Sequence, residues 1–249
     1  LSLTDVQRTL TPAFLPTAVE KVGKVKTVVF DPGHGGHDPG AISRFGYEKN
    51  FALDVVRRTR KILEGRGYKV VQSRLTDFFV PLHERPAMTK NYENPIFVSV
   101  HFNGSSNKKA SGFEIFTITP NGAPPTGKDE DKKSDDEEQA NAPYEAEGFL
   151  LANTIYQTLI GEFEVFDRGV KRQRYSVLRR AETPAVLVEG GFLSNYSEAK
   201  QISTTAWRDK FSTALADGIE AYIKFANDQQ LPKSALELGR TPTNEFVPE

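Results

Sequence analysis

The sequence predicts a single α/β domain, and three observations carry that prediction. Val28-Val29-Phe30-Asp31 is a short apolar run that stops in a glycine-rich turn, Pro32-Gly33-His34-Gly35-Gly36, as a buried strand does at its carboxyl end. From Glu48 the period changes: Ala52, Val55, Val56, Thr59 and Leu63 recur at three- and four-residue steps and share one helical face. Gly65 and Gly67 then close that helix, and Tyr68 to Ser73 reads as a second strand, completing a β-α-β unit.

The bulk composition sets bounds. With 249 residues, 38% of them hydrophobic, the chain suffices for one sizeable core or one domain with appendages. A formal net charge of -1 gives no reason to expect nucleic acid as a partner. There is no cysteine, which excludes disulfides and thiolate metal sites, so any zinc must be held by histidine and carboxylate. No apolar run approaches membrane-spanning length, no leader is visible, and no repeat of fixed period is present.

Residues 1–25 are expected to form an arm, and 26–228 the domain proper. Lys26 to Asp31 is the first strand, and Pro32 to Tyr47 is a loop too rich in glycine and proline for a regular element. Pro81 is expected to open a second helix running to about Asn91. Ile96 to His101 and Phe113 to Thr119 are further strands. Residues 120–144 hold the charged run Lys128 to Glu138 and are expected to be a mobile surface insert, because nothing apolar there offsets the ordering entropy. Ala146 to Ile160 reads as helix, Val170 to Leu178 as short strands, Pro184 to Glu189 as a buried strand and Thr205 to Ala226 as a long helix. Residues 229–249 read as an irregular tail.

Three apolar strands end in polar groups suited to a metal or to proton transfer: His34 after the first, His101 at the end of the third, and Glu189 at the end of the late strand. Glu48 opens the first helix. If those strands are parallel neighbours, their carboxyl ends lie along one edge, where α/β sheets place their sites. Two imidazoles and a carboxylate with a water in the open position form a known type of catalytic zinc centre, and a further carboxylate outside the coordination shell would be the general base.

These residues sit in blocks with a recognisable order. They are Asp31-Pro32-Gly33-His34-Gly35-Gly36 with Asp38-Pro39-Gly40-Ala41, then Glu48, then Ser73-Arg74-Leu75-Thr76-Asp77 with Val80-Pro81-Leu82-His83-Glu84-Arg85. Phe97-Val98-Ser99-Val100-His101-Phe102-Asn103 and Pro184-Ala185-Val186-Leu187-Val188-Glu189-Gly190-Gly191-Phe192-Leu193-Ser194-Asn195 follow. The sequence resembles the zinc-dependent N-acetylmuramoyl-L-alanine amidases of the amidase-3 type over roughly Lys26 to Phe225, apart from the insert. The resemblance implies a mixed, largely parallel sheet flanked by helices, one zinc ion held by His34, Glu48 and His101, and Glu189 as catalytic glutamate. It implies hydrolysis of the amide between N-acetylmuramic acid and the L-alanine of the peptidoglycan stem peptide, during cell-wall remodelling or daughter-cell separation. A zinc peptidase or deacetylase acting on another cell-wall substrate is the alternative.

The substrate implies a periplasmic or extracellular location, and the partners expected are peptidoglycan and a protein activator, the chain itself acting as a monomer. In some amidases of the family a helix inserted at the place of residues 120–144 covers the zinc. The shorter, more charged insert here is expected not to form a full plug, and Glu145 is not expected to reach the metal. His37 is expected near the site and His83 on a solvated surface. Arg74 and Asp77 are expected to fix the turn after the second strand as an ion pair, Asn103 to orient groups behind the ligands, and Arg179 and Arg180 to form a basic face or to meet an acidic stem peptide.

Overall fold

In the computed structural model the described residues are 6–15, 19, 24–121, 123–126 and 140–228. The strands are β1 (Thr27–Pro32), a small hairpin of β2 (Ile42–Ser43) and β3 (Gly46–Tyr47), β4 (Lys69–Gln72), β5 (Pro95–Asn103), β6 (Phe113–Ile118), β7 (Asp167–Gln173) and β8 (Ala185–Phe192). The helices are α1 (Thr11–Phe14), α2 (Glu48–Gly65), α3 (Glu84–Ala87), α4 (Glu145–Glu162), α5 (Ser176–Arg179), α6 (Tyr196–Ile202) and α7 (Thr205–Asp228). The six longer strands form one sheet in the order β4-β1-β5-β8-β6-β7. β4, β1, β5 and β8 are parallel; β6 runs antiparallel to β8, and β7 is parallel to β6. The fold is therefore the expected α/β domain with a mixed, mostly parallel sheet.

Alternation along the strands decides what each face meets. Val28, Phe30, Val98, Val100, Val186 and Val188 point into a large core with α2, α4 and α7. An aromatic group closes that core beside β6, where Trp207 stacks on Phe211 at 5.0 Å and Phe113 meets Phe211 edge-on at 5.5 Å. On the other face Val29, Phe97, Phe116 and Leu187 pack with Val177 and Leu178 of α5. That second cover is short. Beyond it, at the carboxyl ends of β1, β5 and β8, the sheet is left open to a cleft.

Several elements differ from expectation for local reasons. The second helix starts at Glu84 and passes into a 3-10 turn at Met88–Asn91. Pro81 stands just ahead of it, its carbonyl accepting from the Glu84 and Arg85 amides, and Pro86 falls in the first turn, where a missing N–H costs nothing. Of Val170 to Leu178, expected as short strands, only 170–173 are strand, the end of a β7 that begins at Asp167, and Ser176–Arg179 is a helical turn. α6 was not anticipated; Asn195 caps it, its side chain accepting from the Ser197 and Glu198 amides. The mobility expected of the insert concerns residues mostly outside the described ones, as does the tail. Of the arm, residues 6–14 are helical and pack on α4. No helix among the described residues is long and apolar enough to cross a membrane.

Candidate active site

The sheet order places β1, β5 and β8 side by side, so the three strand-end residues converge. His101 and Glu189 are register partners across β5 and β8. His34 lies one turn beyond β1, and Glu48 enters from the first turn of α2, where the helix dipole favours a carboxylate. Ligand atoms of His34, Glu48 and His101 all lie within 4.8 Å of one another. Glu48 is the hub: its Oε1 is 3.0 Å from His34 Nε2 and 2.8 Å from His101 Nδ1. The same carboxylate accepts from the backbone amides of Ala41 (2.7 Å) and Phe102 (3.0 Å), which fixes its plane.

The backbone around these groups is shaped for close approach. Gly33 has no side chain where a Cβ would lie 2.3 Å from the His101 ring. At Gly40, with φ +65°, a Cβ would fall 2.5 Å from both Glu48 Oε2 and the His34 ring. His34 itself has φ 60°, a left-handed conformation uncommon for a residue with a side chain. Two buried arginines hold it there. Arg85 donates to the His34 carbonyl (2.9 Å), and Arg74 donates to the Gly33 and Lys49 carbonyls (2.8 and 2.7 Å). Arg85 is in turn paired with Asp31 at 3.0 Å, both side chains essentially without solvent contact. Ser73 and Ser99 donate to the two oxygens of Asp31. Burial, with Arg85 adjacent, pushes the Arg74 pKa down to about 10.

Electrostatics separates the carboxylates by role. Glu48 is buried, which by itself favours its neutral form, but hydrogen bonds from His101 and His34 outweigh this and hold its pKa far below the usual range. Glu189 goes the other way: burial first, then the nearby charges of Glu48 and Glu114, push its pKa well up. Its Oε2 is buried with no hydrogen-bond partner among the described residues. Asp38 accepts from His34 Nδ1 at 2.8 Å, which leaves Nε2 as the ring nitrogen facing the other ligands. His34, Asp38, Glu48, His101 and Glu189 line a cleft of about 410 Å³ together with Leu82, Tyr175, Val177 and Leu187.

The other residues singled out from sequence fall as follows. His37 is exposed, its ring 4.4 Å from that of Phe79, and His83 is exposed as expected. Arg74 does not pair with Asp77. It serves the backbone carbonyls, while Asp77 accepts from the Gly36 amide and from Lys49 at 2.6 Å. Asn103 accepts from the Gly104 amide and so fixes its own loop. Arg179 is buried rather than part of a basic face, and Arg180 is exposed. Glu145 is buried and accepts from the Asn121 amide, near the end of β6 opposite the cleft. Sequence reasoning gave no part to Glu114, Arg168 or Lys171. A lone carboxylate in the apolar strand Phe113-Glu114-Ile115 was the available signal.

Comparison with known proteins points the same way. Residues 28–221 match the family model described as N-acetylmuramoyl-L-alanine amidase. The amidase AmiA of Salmonella typhimurium is 29% identical over 233 residues, covering 85% of this chain and 81% of its own. YqiI of Bacillus subtilis, an uncharacterised protein, is 32% identical over 89% of this chain and 95% of its own. Among solved structures, the amidase AmiC2 of Nostoc punctiforme superposes with a TM-score of 0.67 at 28% identity, covering 81% of this chain and 99% of that one. An N-acetylmuramoyl-L-alanine amidase from Clostridium difficile gives 0.65, also at 28% identity, over 81% and 98%. The chain belongs to the N-acetylmuramoyl-L-alanine amidase family and is an enzyme that cleaves the amide between N-acetylmuramic acid and the L-alanine of peptidoglycan.

Proposed function

We propose that His34, Glu48 and His101 hold a single zinc ion and that Glu189 is the general base of the hydrolysis. The convergence of two imidazole nitrogens and one carboxylate oxygen beside the orphaned Oε2 of Glu189 carries this reading. The donor set fits: it is nitrogen and oxygen only, three protein ligands rather than four, with the His34 tautomer set by Asp38. When bound, zinc supplies the Lewis acidity that makes water acidic near neutral pH and polarises a carbonyl.

The protein groups divide the remaining work. Glu189 takes a proton from the attacking water as its oxygen bonds to the lactyl carbonyl carbon. It then delivers that proton to the alanine nitrogen as the carbon–nitrogen bond breaks. Its burial, which raises its proton affinity in the metal-free protein, suits a group that must hold the proton between the two steps. Arg74, Arg85 and Asp31 keep the His34 turn rigid, so the ligands are arranged before substrate arrives. The substrate places this chemistry in the periplasm or outside the cell, in wall remodelling or daughter-cell separation, with the chain acting as a monomer under a protein activator. The test is metal stoichiometry of the purified protein and of His101→Ala, paired with product analysis of digested cell wall. One zinc per chain, lost in the variant, and released stem peptides with a free N-terminal L-alanine are expected; sugar-linked peptides cut elsewhere would favour a peptidase instead.

A further inference from the structure

A second cavity of about 580 Å³ adjoins the metal cleft and shares Asn103, Gly104 and Tyr175 with it. Among the described residues its charged lining is Lys109, Arg168 and Lys171 against one carboxylate, Glu114, so these residues make it locally positive although the chain carries a net charge of -1. Glu114 is the register partner of Glu189 across β6 and β8, and antiparallel partners share a sheet face. The buried Glu114 carboxylate is paired with Arg168 through one oxygen and with Lys171 at 2.9 Å through the other. Arg168 also lies over the Phe192 ring at 4.9 Å, and Lys171 over the Phe116 ring at 5.9 Å. Both cations are thus held in place while about a quarter of each side chain, 27% and 24%, faces the cavity. Two cations answering one carboxylate leave one positive charge over.

From this we infer that the cavity seats the stem peptide and that Arg168 and Lys171 receive a carboxylate carried by its second residue. The inference rests on the amidase reading and fixes which way the substrate lies. Glu189 must deliver its proton to the departing alanine nitrogen, so that nitrogen lies over Glu189 and the peptide continues away from the metal. The next positions across the sheet belong to β6 and β7. Strands are spaced at ~4.8 Å, which puts the two cations roughly 5 to 10 Å from Glu189. A free carboxyl on the second residue of a γ-linked stem peptide lies roughly 7 Å from the alanine nitrogen when the chain is extended, inside that interval.

The experiment compares two muramoyl tripeptides, identical except that the α-carboxyl of the second residue is free in one and amidated in the other. On the unmodified enzyme kcat/KM should favour the free acid by about tenfold, the worth of roughly one partly screened charge-assisted hydrogen bond, with the difference in KM. In Lys171→Gln and in Arg168→Gln, each of which leaves one cation on Glu114, the ratio should fall toward one. Equal kcat/KM for the two substrates on the unmodified enzyme would overturn the subsite, as would a preference undiminished in both variants. Failure to cleave either tripeptide, with cell wall also left intact, would instead defeat the amidase reading on which the subsite depends.

Discussion

The two walls of the site are built by different means. On the metal side, the turns after β1 and β5 are held by backbone devices: left-handed His34, glycines that leave room for imidazole rings, and buried arginines that donate to carbonyl oxygens, Arg85 being held in turn by Asp31. On the β6–β7 side there is ordinary strand, and charge is placed by side chains that reach across to one another. Rigid placement is what bond-making groups need, because small displacements of a reacting pair cost large factors in rate. A recognition wall tolerates more give. This enzyme concentrates its conformational constraint where the bond is broken and, on the subsite inferred above, uses plain electrostatics where the substrate is read.

Breaking the chemistry while sparing the frame gives the largest effect. Glu189→Gln is nearly isosteric and no donor is lost from Glu48, His34 or His101, so metal content should stay at the unmodified level. Turnover should fall by about 10²–10⁴-fold, the usual worth of a general base. Single-turnover hydrolysis alongside elemental analysis checks both halves, and an undiminished rate would remove Glu189 from its role.

Breaking the frame while sparing the chemistry comes next. Arg85→Met leaves Asp31 charged and sealed from water with its cation gone. Removing one partner of a buried pair costs about 3–5 kcal/mol, so chemical denaturation should show a loss of that size. The equivalent change on the other wall, Lys171→Gln, should cost far less, since Arg168 remains on Glu114 and water reaches the site. If the two variants were destabilised alike, the contrast between a constrained wall and a permissive one would fail.

The same contrast explains how much was legible beforehand. His34, Glu48, His101 and Glu189 could be named from sequence because each ends or begins an element, and glycines mark the backbone geometry that brings them together. The parallel order of β1, β5 and β8 then does the rest. Arg74 was expected to pair with Asp77 and Arg85 was given no role, because nothing local says that an arginine will fold inward to serve carbonyls from a distant turn. Arg179 misled in the same way. Glu114, Arg168 and Lys171 stayed silent because they meet only when β7 pairs with β6, and stand beside Glu189 only because β6 reverses direction against β8. That reversal is a tertiary fact with no turn motif to announce it. α6 was overlooked although Asn195 followed by Glu198 carried an ordinary capping signal.

A smaller effect sharpens the metal side alone. Asp38 accepts from His34 Nδ1 and so presents Nε2 to the centre. Asp38→Asn keeps the shape but weakens control of the ring's tautomer, and changes to such outer partners cost about 10–100-fold in metal affinity. Competition with a zinc-selective chelator measures it, and an unchanged affinity would mean that packing alone orients the ring.

The smallest effect is a pH dependence that differs in sign between the metal centre and the outer ion pairs. In the metal-free protein His34 has a raised pKa: burial opposes its charge, but hydrogen bonds to Glu48 and Asp38 outweigh that. A raised imidazole contributes stability that is present below its unfolded pKa of about 6.5 and lost as pH rises through the higher folded value. Glu189, raised by burial, likewise favours the fold more as it gains a proton. Asp54 and Asp77 behave oppositely: partners on Arg58 and Arg208, and on Lys49, outweigh burial and lower their pKa values. Their contribution is present above about pH 4 and lost as pH falls below it, and partial exposure keeps each near 1 kcal/mol or less. Zinc requires the unprotonated imidazole, so its stabilisation grows with pH where the metal-free centre weakens. Melting temperatures with and without zinc should therefore lie furthest apart near pH 8, draw together toward pH 5, and fall in both forms below pH 4. A gap independent of pH would show that binding the metal displaces no proton from His34, and with it would go the view of this wall as a centre built to exchange protons for a cation.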